Sequence, residues 1–274
     1  MEAVERTVLT TGAGTGIGLA TAIELARRGF HSAGGVRSQA KARVVARAAR
    51  AAGVKVRCVM LDVTEPQQCA DVIAELKPYG LVNNAGVPAS GAIEDVGDGD
   101  ARLALETMVL GPMRLARAAI PHMREQGGGR IVNISSIYGL MTTPLTGWYQ
   151  ASKHALEALS DALRVELAAD GIMVVLIEPG AFRSNIWESA GNDVQRRLDS
   201  EYFAAYRRLE EGIRVSQRLM GDPIEVARLI GGVMTAKSPK ARYLVGYDAR
   251  AIDIYSKLLP TEVRDRLARL TLGL

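Results

Sequence analysis

The stretch TVLTTGAGTGIGLATAIELARRG, from Thr7 to Gly29, decides the fold. Its first residues, Thr7 to Thr11, form a short apolar run of the kind found in a buried strand. Glycines follow directly, and the next apolar residues recur at helical spacing until Gly29, a residue type that often ends a helix. The stretch therefore predicts a strand, a tight loop and a helix in that order.

The same unit recurs along the chain, where apolar strands alternate with helical patterns. Further strands are predicted at His31–Val36, Val54–Leu61, Leu81–Asn83, Arg130–Ile134, Met173–Ile177 and Arg242–Gly246. Further helices are predicted at Gln39–Ala52, Pro66–Leu76, Asp100–Met123 and Tyr149–Ala169. Continuous apolar strands joined by helices are typical of a parallel sheet covered on both faces. The sequence thus predicts an α/β fold, a doubly wound parallel sheet of about seven strands in a single domain, residues 1–274.

Composition and charge exclude several classes of function. The 274 residues are 48% hydrophobic and 23% charged, as in a globular protein with one sizeable core. The net charge of +4 is scattered among acidic residues, and only 5% of residues are aromatic. A nucleic-acid site would combine clustered basic residues with stacking aromatics, so no nucleic-acid partner is expected.

A membrane-spanning protein and a metal-binding protein are also not expected. No apolar stretch approaches the roughly 18 residues that cross a membrane. The amino-terminal residues have no apolar signal core, which predicts a cytoplasmic location. Cys58 and Cys69 lack metal-like or CxxC spacing, so neither a metal site nor a disulfide framework is predicted, and both are interpreted as core thiols.

The glycine-rich loop TGAGTGIG, Thr11 to Gly18, is typical of a site for the pyrophosphate of a dinucleotide. Glycines let backbone N–H groups approach the phosphates, and the start of the following helix adds a partial positive charge. A glycine turn without a ligand is the alternative, but the strand before it and the helix after it favour the dinucleotide. The residues assigned to the cofactor are Gly12, Gly14, Thr15, Gly16, Ile17 and Gly18.

The end of the second strand distinguishes NAD from NADP. An acidic residue there binds the ribose 2′-hydroxyl, whereas a neutral residue beside an arginine accepts a 2′-phosphate. Val36 stands at this place and Arg37 follows it. An ordinary surface role for Arg37 is the alternative, but the missing acid favours NADP(H).

The stretch SSIYGLMTTPLTGWYQASK, Ser135 to Lys153, contains the residues expected to do acid/base chemistry. Tyr149 and Lys153 are four residues apart, so both side chains would lie on one face of a helix. Hydride reduction of a carbonyl builds negative charge on its oxygen, which needs a donor already aimed at it. The ammonium is expected to lower the pKa of the phenol, and Ser136 would donate a second hydrogen bond. The alternatives are strand-end capping by the serines and packing of Tyr149 on the sheet.

Together these motifs carry a family resemblance. With TGAGTGIG, NNAG at Asn83–Gly86, Ser136, YQASK at Tyr149–Lys153 and Pro179-Gly180, the sequence resembles the short-chain dehydrogenase/reductase family over nearly its whole length. The resemblance implies a Rossmann-type fold, a catalytic serine at Ser136, thirteen residues before the tyrosine, and an acid/base pair at Tyr149 and Lys153. The implied cofactor contacts are Asp62 and Val63 by the adenine, Asn84 by the adenosine ribose, Phe182 near the nicotinamide, and Tyr149 and Lys153.

Two positions depart from the pattern of this family. The helix before the GGG turn usually carries an asparagine that kinks it and holds a water of the proton relay, and Met108 stands in that place. A thioether cannot replace an amide, so Met108 marks a rebuilt relay or is an apolar core or pocket residue. The threonine of P-G-x-x-x-T that reaches the cofactor amide is Ser184 here.

The tail Lys240–Pro260 resembles the hydroxysteroid and retinol dehydrogenase-like branch, which implies a bulky apolar substrate.

These features predict an NADP(H)-dependent oxidoreductase that transfers a hydride between the nicotinamide and a carbonyl or secondary alcohol. The expected substrate is hydrophobic, such as a steroid, a retinoid or a polyketide-like ring. A non-redox acid/base enzyme on the same fold, or a nucleotide-sensing protein without turnover, are the alternative functions.

The region after Pro179-Gly180 is less regular. Residues 181–221 would form a helical substrate lid and residues 247–274 a C-terminal tail. The aromatic residues of the lid are Trp187, Tyr202, Phe203 and Tyr206, which would line the substrate or pack the lid on the core. Small residues on the helix from Tyr149 predict a homodimer or homotetramer, with burial against the sheet as the alternative. These residues are Ala151, Ala155, Ala158 and Ala162.

Overall fold

The computed structural model describes residues 6–184, 186–187, 190–191, 193, 197, 199–217, 220–246, 249 and 259–274. The strands are β1 (Thr7–Thr10), β2 (His31–Val36), β3 (Arg57–Met60), β4 (Gly80–Asn83), β5 (Gly129–Ile134), β6 (Ile172–Pro179) and β7 (Arg242–Val245). Their order across the sheet is β3-β2-β1-β4-β5-β6-β7, and every neighbouring pair is parallel. The predicted doubly wound parallel sheet is confirmed.

Helices cover both faces of this sheet. Those of the described residues are α1 (Gly16–Arg27), α2 (Gln39–Ala51), α3 (Pro66–Leu76), α4 (Asp98–Leu105), α5 (Gly111–Glu125), α6 (Gly147–Glu166), α7 (Phe203–Ser216), α8 (Pro223–Thr235) and α9 (Thr261–Leu272). Parts of the predicted lid (positions 185, 188–189, 192, 194–196, 198 and 218–219) and tail (247–248 and 250–258) lie outside the described residues.

The first strand and helix form as the opening stretch predicts. Val8 and Leu9 of β1 are fully buried, and so are Ala22 and Leu25 on the inner face of α1. The hydroxyl of Ser32 in β2 donates to the carbonyl of Ala22 at 2.7 Å. Apolar burial, at about 1.5 to 3 kcal/mol for each large side chain, thus holds the helix against the sheet.

Two apolar clusters lie on the two faces of the sheet. One joins strand residues Leu81 and Ile131 to helices α3 and α5 through Ile73 and Leu115. The other joins strand residues Val82 and Val132 to α1 and α8 through Leu25 and Ile230. Because the central strands β4, β5 and β6 are buried on both faces, they read as continuous apolar runs and not as alternating ones.

The helix predicted at Asp100–Met123 is interrupted in the structure. α4 is followed by a π-helical turn at Glu106–Leu110, and α5 begins at Gly111. Pro112 has no backbone N–H and cannot donate to the carbonyl four residues before it, that of Met108. A wider turn absorbs this missing bond. The π-helical turn is therefore present here without an asparagine at position 108.

The small residues of α6 lie on a face of the helix that is largely exposed. Ala151, Ala158 and Ala162 are exposed and Ala155 is half-buried, so this face does not pack on the sheet. The homodimer or homotetramer stays a prediction.

Across the described residues no helix is long and apolar enough to span a bilayer.

Both cysteines are free thiols. Cys69 is buried, and Cys58, on β3, is half-buried against α2, where its thiol lies 3.6 Å from the Ala42 carbonyl. Burial raises the pKa of each thiol, so both are poor nucleophiles at neutral pH.

Candidate active site

A cavity of about 810 Å³ lies where the strand order reverses, between the carboxyl ends of β1 and β4. This is the place where doubly wound sheets bind ligands. The residues singled out from the sequence that line it are Gly12, Gly14, Thr15, Ile17, Arg37, Asp62, Val63, Asn84, Ser136, Tyr149, Lys153, Phe182 and Ser184. Residues from distant parts of the chain thus meet in one cavity.

The glycine loop is fixed by hydrogen bonds to the end of β4. The Thr11 hydroxyl accepts from the backbone N–H groups of Asn84 at 2.9 Å and Ala85 at 3.0 Å. The Asn84 amide in turn donates to the carbonyls of Thr11 at 2.9 Å and Gly12 at 3.4 Å. Thr11 was quoted as the start of the loop but was not predicted as a site residue, because its partners are far away in sequence.

Gly16 and Gly18, which the sequence assigns to the cofactor, are not part of the cavity lining. A Cβ at Gly18 would lie 2.4 Å from both the Asn84 amide nitrogen and the Gly12 carbonyl oxygen. At Gly16 a Cβ would lie 3.0 Å from Cβ of Ser184. The absence of a side chain at Gly18 lets the loop approach Asn84, and its absence at Gly16 lets the loop approach Ser184 in the segment after β6.

Two basic side chains lie at one end of the cavity, beside the end of β2. Arg37 lines it as expected, and so does Lys41 in the first turn of α2. The Lys41 side-chain carbons lie 3.0 Å from the position that a Cβ at Gly14 would take. Lys41 was not predicted as a site residue, although its spacing of four from Arg37 is a local signal for it.

Asp62 and Val63 follow β3 at the same end of the cavity. One Asp62 carboxylate oxygen accepts from the Thr64 hydroxyl at 2.7 Å and from the Thr64 backbone N–H at 3.0 Å. The Asp62 N–H donates to the Gln68 side chain at 2.9 Å. This turn fixes the acidic side chain against its own backbone.

Ser136, Tyr149 and Lys153 come together at the other end of the cavity. Ser136 lies two residues after the end of β5 with an extended backbone, and its hydroxyl accepts from the Tyr138 N–H at 3.2 Å. Tyr149 in the first turn of α6 is hydrogen-bonded to Ser136. Lys153 donates from Nζ to the Ile134 carbonyl at 2.8 Å, and Nζ lies 5.6 Å from the centre of the Tyr149 ring.

Burial controls the protonation of this pair. It raises the pKa of Tyr149 to about 12, and the hydrogen bond to Ser136 offsets only part of the rise. It lowers the pKa of Lys153 to about 8, against the opposing effect of the Glu157 charge. The phenol is therefore protonated at neutral pH and the lysine is mostly charged. The expectation of a lowered phenol pKa does not hold here, because desolvation outweighs the hydrogen bond to Ser136.

Met108 packs behind the tyrosine. It is 1% exposed and forms an apolar cluster with Ala89 and Ala104, against which Trp148 and Tyr149 pack. Of the two interpretations of this departure, the structure favours the apolar core residue.

The described part of the lid covers the cavity with apolar residues. Trp187 lines it and donates from Nε1 to the Phe182 carbonyl at 2.9 Å. Tyr206 instead packs the lid on the body: it is 1% exposed and donates to Asp95 at 2.6 Å. Leu209 and Ile213 of α7 and Leu272 of α9 also line the cavity, together with Arg208 and Thr271. Leu272 was not predicted, because a terminal helix has no sequence signal for what it covers.

The known proteins that this chain resembles in sequence or in structure are named as oxidoreductases, dehydrogenases or reductases. A family model described as short chain dehydrogenase matches residues 6–195. The uncharacterized oxidoreductase YusZ of Bacillus subtilis is 35% identical over 265 residues, covering 93% of this chain and 94% of that protein. Retinol dehydrogenase 5 of Mus musculus is 31% identical over 278 residues, covering 94% and 86%. A crystal structure of an actinorhodin polyketide ketoreductase variant with NADPH matches with a TM-score of 0.74 and 29% identity, covering 88% and 95%.

Proposed function

The chain belongs to the short-chain dehydrogenase family, and from that premise we propose that it is an NADP(H)-dependent ketoreductase or alcohol dehydrogenase. It transfers a hydride between the nicotinamide and a carbonyl or secondary alcohol of a hydrophobic substrate. One observation carries the proposal. The cavity has a hydrogen-bonding set of serine, tyrosine and lysine at one end and two basic side chains at the other.

The residues of the chain divide the chemistry between them. Ser136 and Tyr149 both present hydroxyl groups to the cavity, so both can donate hydrogen bonds to a substrate oxygen as it gains negative charge. Tyr149, protonated at neutral pH, gives that oxygen its proton in the reducing direction. Lys153 holds the tyrosine side of the cavity positively charged. When bound, the nicotinamide supplies or accepts the hydride.

The cavity fits a dinucleotide with a 2′-phosphate. The loop from Gly12 to Ile17 presents backbone at the start of α1, where N–H groups are unpaired. Val36, and not a carboxylate, ends β2, and Arg37 and Lys41 stand beside it. The similar polyketide ketoreductase was crystallised with NADPH, which supports the same choice. Residues Gly12, Gly14, Thr15, Ile17, Arg37, Lys41, Asn84 and Ser184 would hold it.

Replacing Arg37 or Lys41 with Ala should weaken NADPH binding selectively. Each change removes one charge-assisted contact to a phosphate, worth about 10- to 100-fold in affinity, while NADH loses nothing. Fluorescence titration of both cofactors measures the effect, with Arg43→Ala as the control because Arg43 is exposed on α2 outside the lining. Equal losses for NADH and NADPH would contradict the assignment.

The substrate side of the cavity is apolar. Trp187, Leu209, Ile213 and Leu272 line it, and the polar residues beside them include Ser90, Arg208, Ser216 and Thr271. We assign residues 181–221 as the substrate lid on this ground, and the names of the similar retinol dehydrogenase and polyketide ketoreductase support a bulky apolar ring. A panel of ketones and alcohols, followed at the nicotinamide absorbance, tests the function. NADPH binding without any absorbance change would favour the non-redox or sensing alternatives.

Met108→Asn should lower stability without raising turnover. The new amide would be buried in an apolar cluster without a partner, at a cost of about 1 to 3 kcal/mol. Chemical denaturation measures the loss, and Met108→Leu, which keeps volume and polarity, is the matched control. A higher kcat together with a changed pH profile in the asparagine variant would instead support a rebuilt relay at this position.

A further inference from the structure

Glu157 is a buried carboxylate close to the active-site lysine. It lies on α6 four residues after Lys153 and is 6% exposed. Its Oε2 forms an ion pair with Arg242 of β7, which also pairs with Asp161 of α6 and Glu178 of β6. Burial opposes the charge of Arg242, but hydrogen bonds to these carboxylates raise its pKa above the ordinary value. Arg242 thus balances a negative charge placed behind the active site.

The other carboxylate oxygen of Glu157 faces a second unpaired group. Glu157 Oε1 and the hydroxyl of Ser135 are buried and have no hydrogen-bond partner among the described residues. A Cβ at Gly139 would lie 2.7 Å from Ser135 Oγ and 3.1 Å from Glu157 Oε1. The two oxygens are therefore within about 6 Å of each other without a direct bond, a separation that one water bridges.

Lys153 lies one helical turn before Glu157 on the same helix. Its Nζ donates to the Ile134 carbonyl at 2.8 Å, and Ile134 is the neighbour of Ser135 in the chain. An ammonium has three donors, so this bond leaves capacity for a water. The ionisable groups that face Lys153 are Tyr149 and Glu157 on α6. Behind Glu157 lie Arg242 on β7, Asp161 on α6 and Glu178 on β6, and Tyr138 in the turn after β5 contacts the Tyr149 ring. Of these, Glu157 is the charge that favours the ammonium.

We propose that Glu157 is a positioning residue that supports the ammonium of Lys153 and, with Ser135, holds a buried water that returns a proton to it. The proposal rests on the proposed function. After Tyr149 gives its proton to the substrate oxygen, Lys153 reprotonates the phenolate, and the water gives a proton to the neutral lysine. The water regains its proton from bulk solvent, so the proton count of the cycle balances. This set replaces the amide that the turn at Met108 lacks.

The first test measures the titration of Lys153 in the cofactor-free protein. The chain has seven lysines, so nitrogen and carbon NMR of labelled lysine resolves them, and Lys153→Arg identifies the signal. Glu157→Gln keeps the shape and removes the charge, so the midpoint of Lys153 should fall by about one pH unit. The alkaline limb of kcat should move to lower pH by the same amount. Glu166→Gln, an exposed change on the same helix, should move neither.

The second test removes the hydroxyl that would hold the water. Ser135→Ala deletes an oxygen without a protein partner, so folding should be preserved. It should lower kcat roughly tenfold, less than the loss of a group that transfers the proton itself, while NADPH affinity stays unchanged. This variant decides the question if Glu157→Gln does not fold.

An unchanged Lys153 midpoint in Glu157→Gln, or an unchanged kcat in Ser135→Ala, would overturn the proposal. The titration needs neither cofactor nor substrate, so it gives a result even if no carbonyl compound is turned over. Absence of turnover in the unmodified protein counts against the proposed function alone.

Discussion

Tyr149→Phe should abolish nearly all carbonyl reduction while the protein still binds NADPH. The change removes only the hydroxyl, because the phenyl ring keeps its packing against the Met108 cluster and its edge contact with Tyr138, whose ring centre is 6.2 Å away. A general acid contributes roughly 10²- to 10⁴-fold to the rate, so kcat should fall by that factor. Steady-state kinetics and a fluorescence titration with NADPH measure the two effects separately.

A second tyrosine serves as the control for this experiment. Tyr243 on β7 accepts a hydrogen bond from the Lys240 N–H at 2.9 Å and is outside the cavity lining. Tyr243→Phe should leave kcat close to that of the unmodified protein. Reduction by Tyr149→Phe at a comparable rate would show that another group is the acid.

Gly18→Ala should cost both stability and cofactor affinity. The added Cβ would lie 2.4 Å from the Gly12 carbonyl oxygen and the Asn84 amide nitrogen, closer than atoms can approach. The loop must therefore shift, and the bonds from Asn84 to the loop carbonyls are lost or lengthened. Overpacking of this kind costs about 1 to 3 kcal/mol, and NADPH affinity should fall on the order of tenfold or more, since 1.4 kcal/mol is a factor of ten.

Gly232 provides a matched helical glycine. It lies in α8, and a Cβ there would meet no atom within 4 Å. Gly232→Ala should be neutral or stabilising by up to about 1 kcal/mol, because alanine is the better helix former. Chemical denaturation and NADPH titration of both variants measure the contrast. A Gly18→Ala protein with unchanged stability and affinity would mean that the loop has room that the structure does not show.

Local patterns were sufficient to predict the sheet and the placement of Tyr149 and Lys153 on one helix. The strand, loop and helix from Thr7 to Gly29 depend on apolar spacing and glycine positions, which are written in neighbouring residues. The spacing of Tyr149 and Lys153 places them on one helix in the same way. Predictions of this kind hold because the deciding interactions are short in sequence.

Other features depend on parts of the chain that meet only after folding. Thr11 bonds to Asn84, 73 positions away, and Glu157 pairs with Arg242, 85 positions away. The direction of the Tyr149 pKa shift depends on burial, which a sequence does not display. The π-helical turn at Met108 was also missed, although Pro112 was a local signal for it.

The hydrogen bonds between Thr11 and Asn84 have a consequence for the thermodynamics of binding. They join two loops through both side chains before any ligand arrives. Ordering the backbone costs about 1 to 2 kcal/mol of conformational entropy for each residue. These loops lose that entropy when the protein folds, so binding of a dinucleotide does not require them to lose it again. The affinity for a ligand at this end of the cavity then depends on the contacts that the ligand forms, and not on the entropy of ordering these two loops.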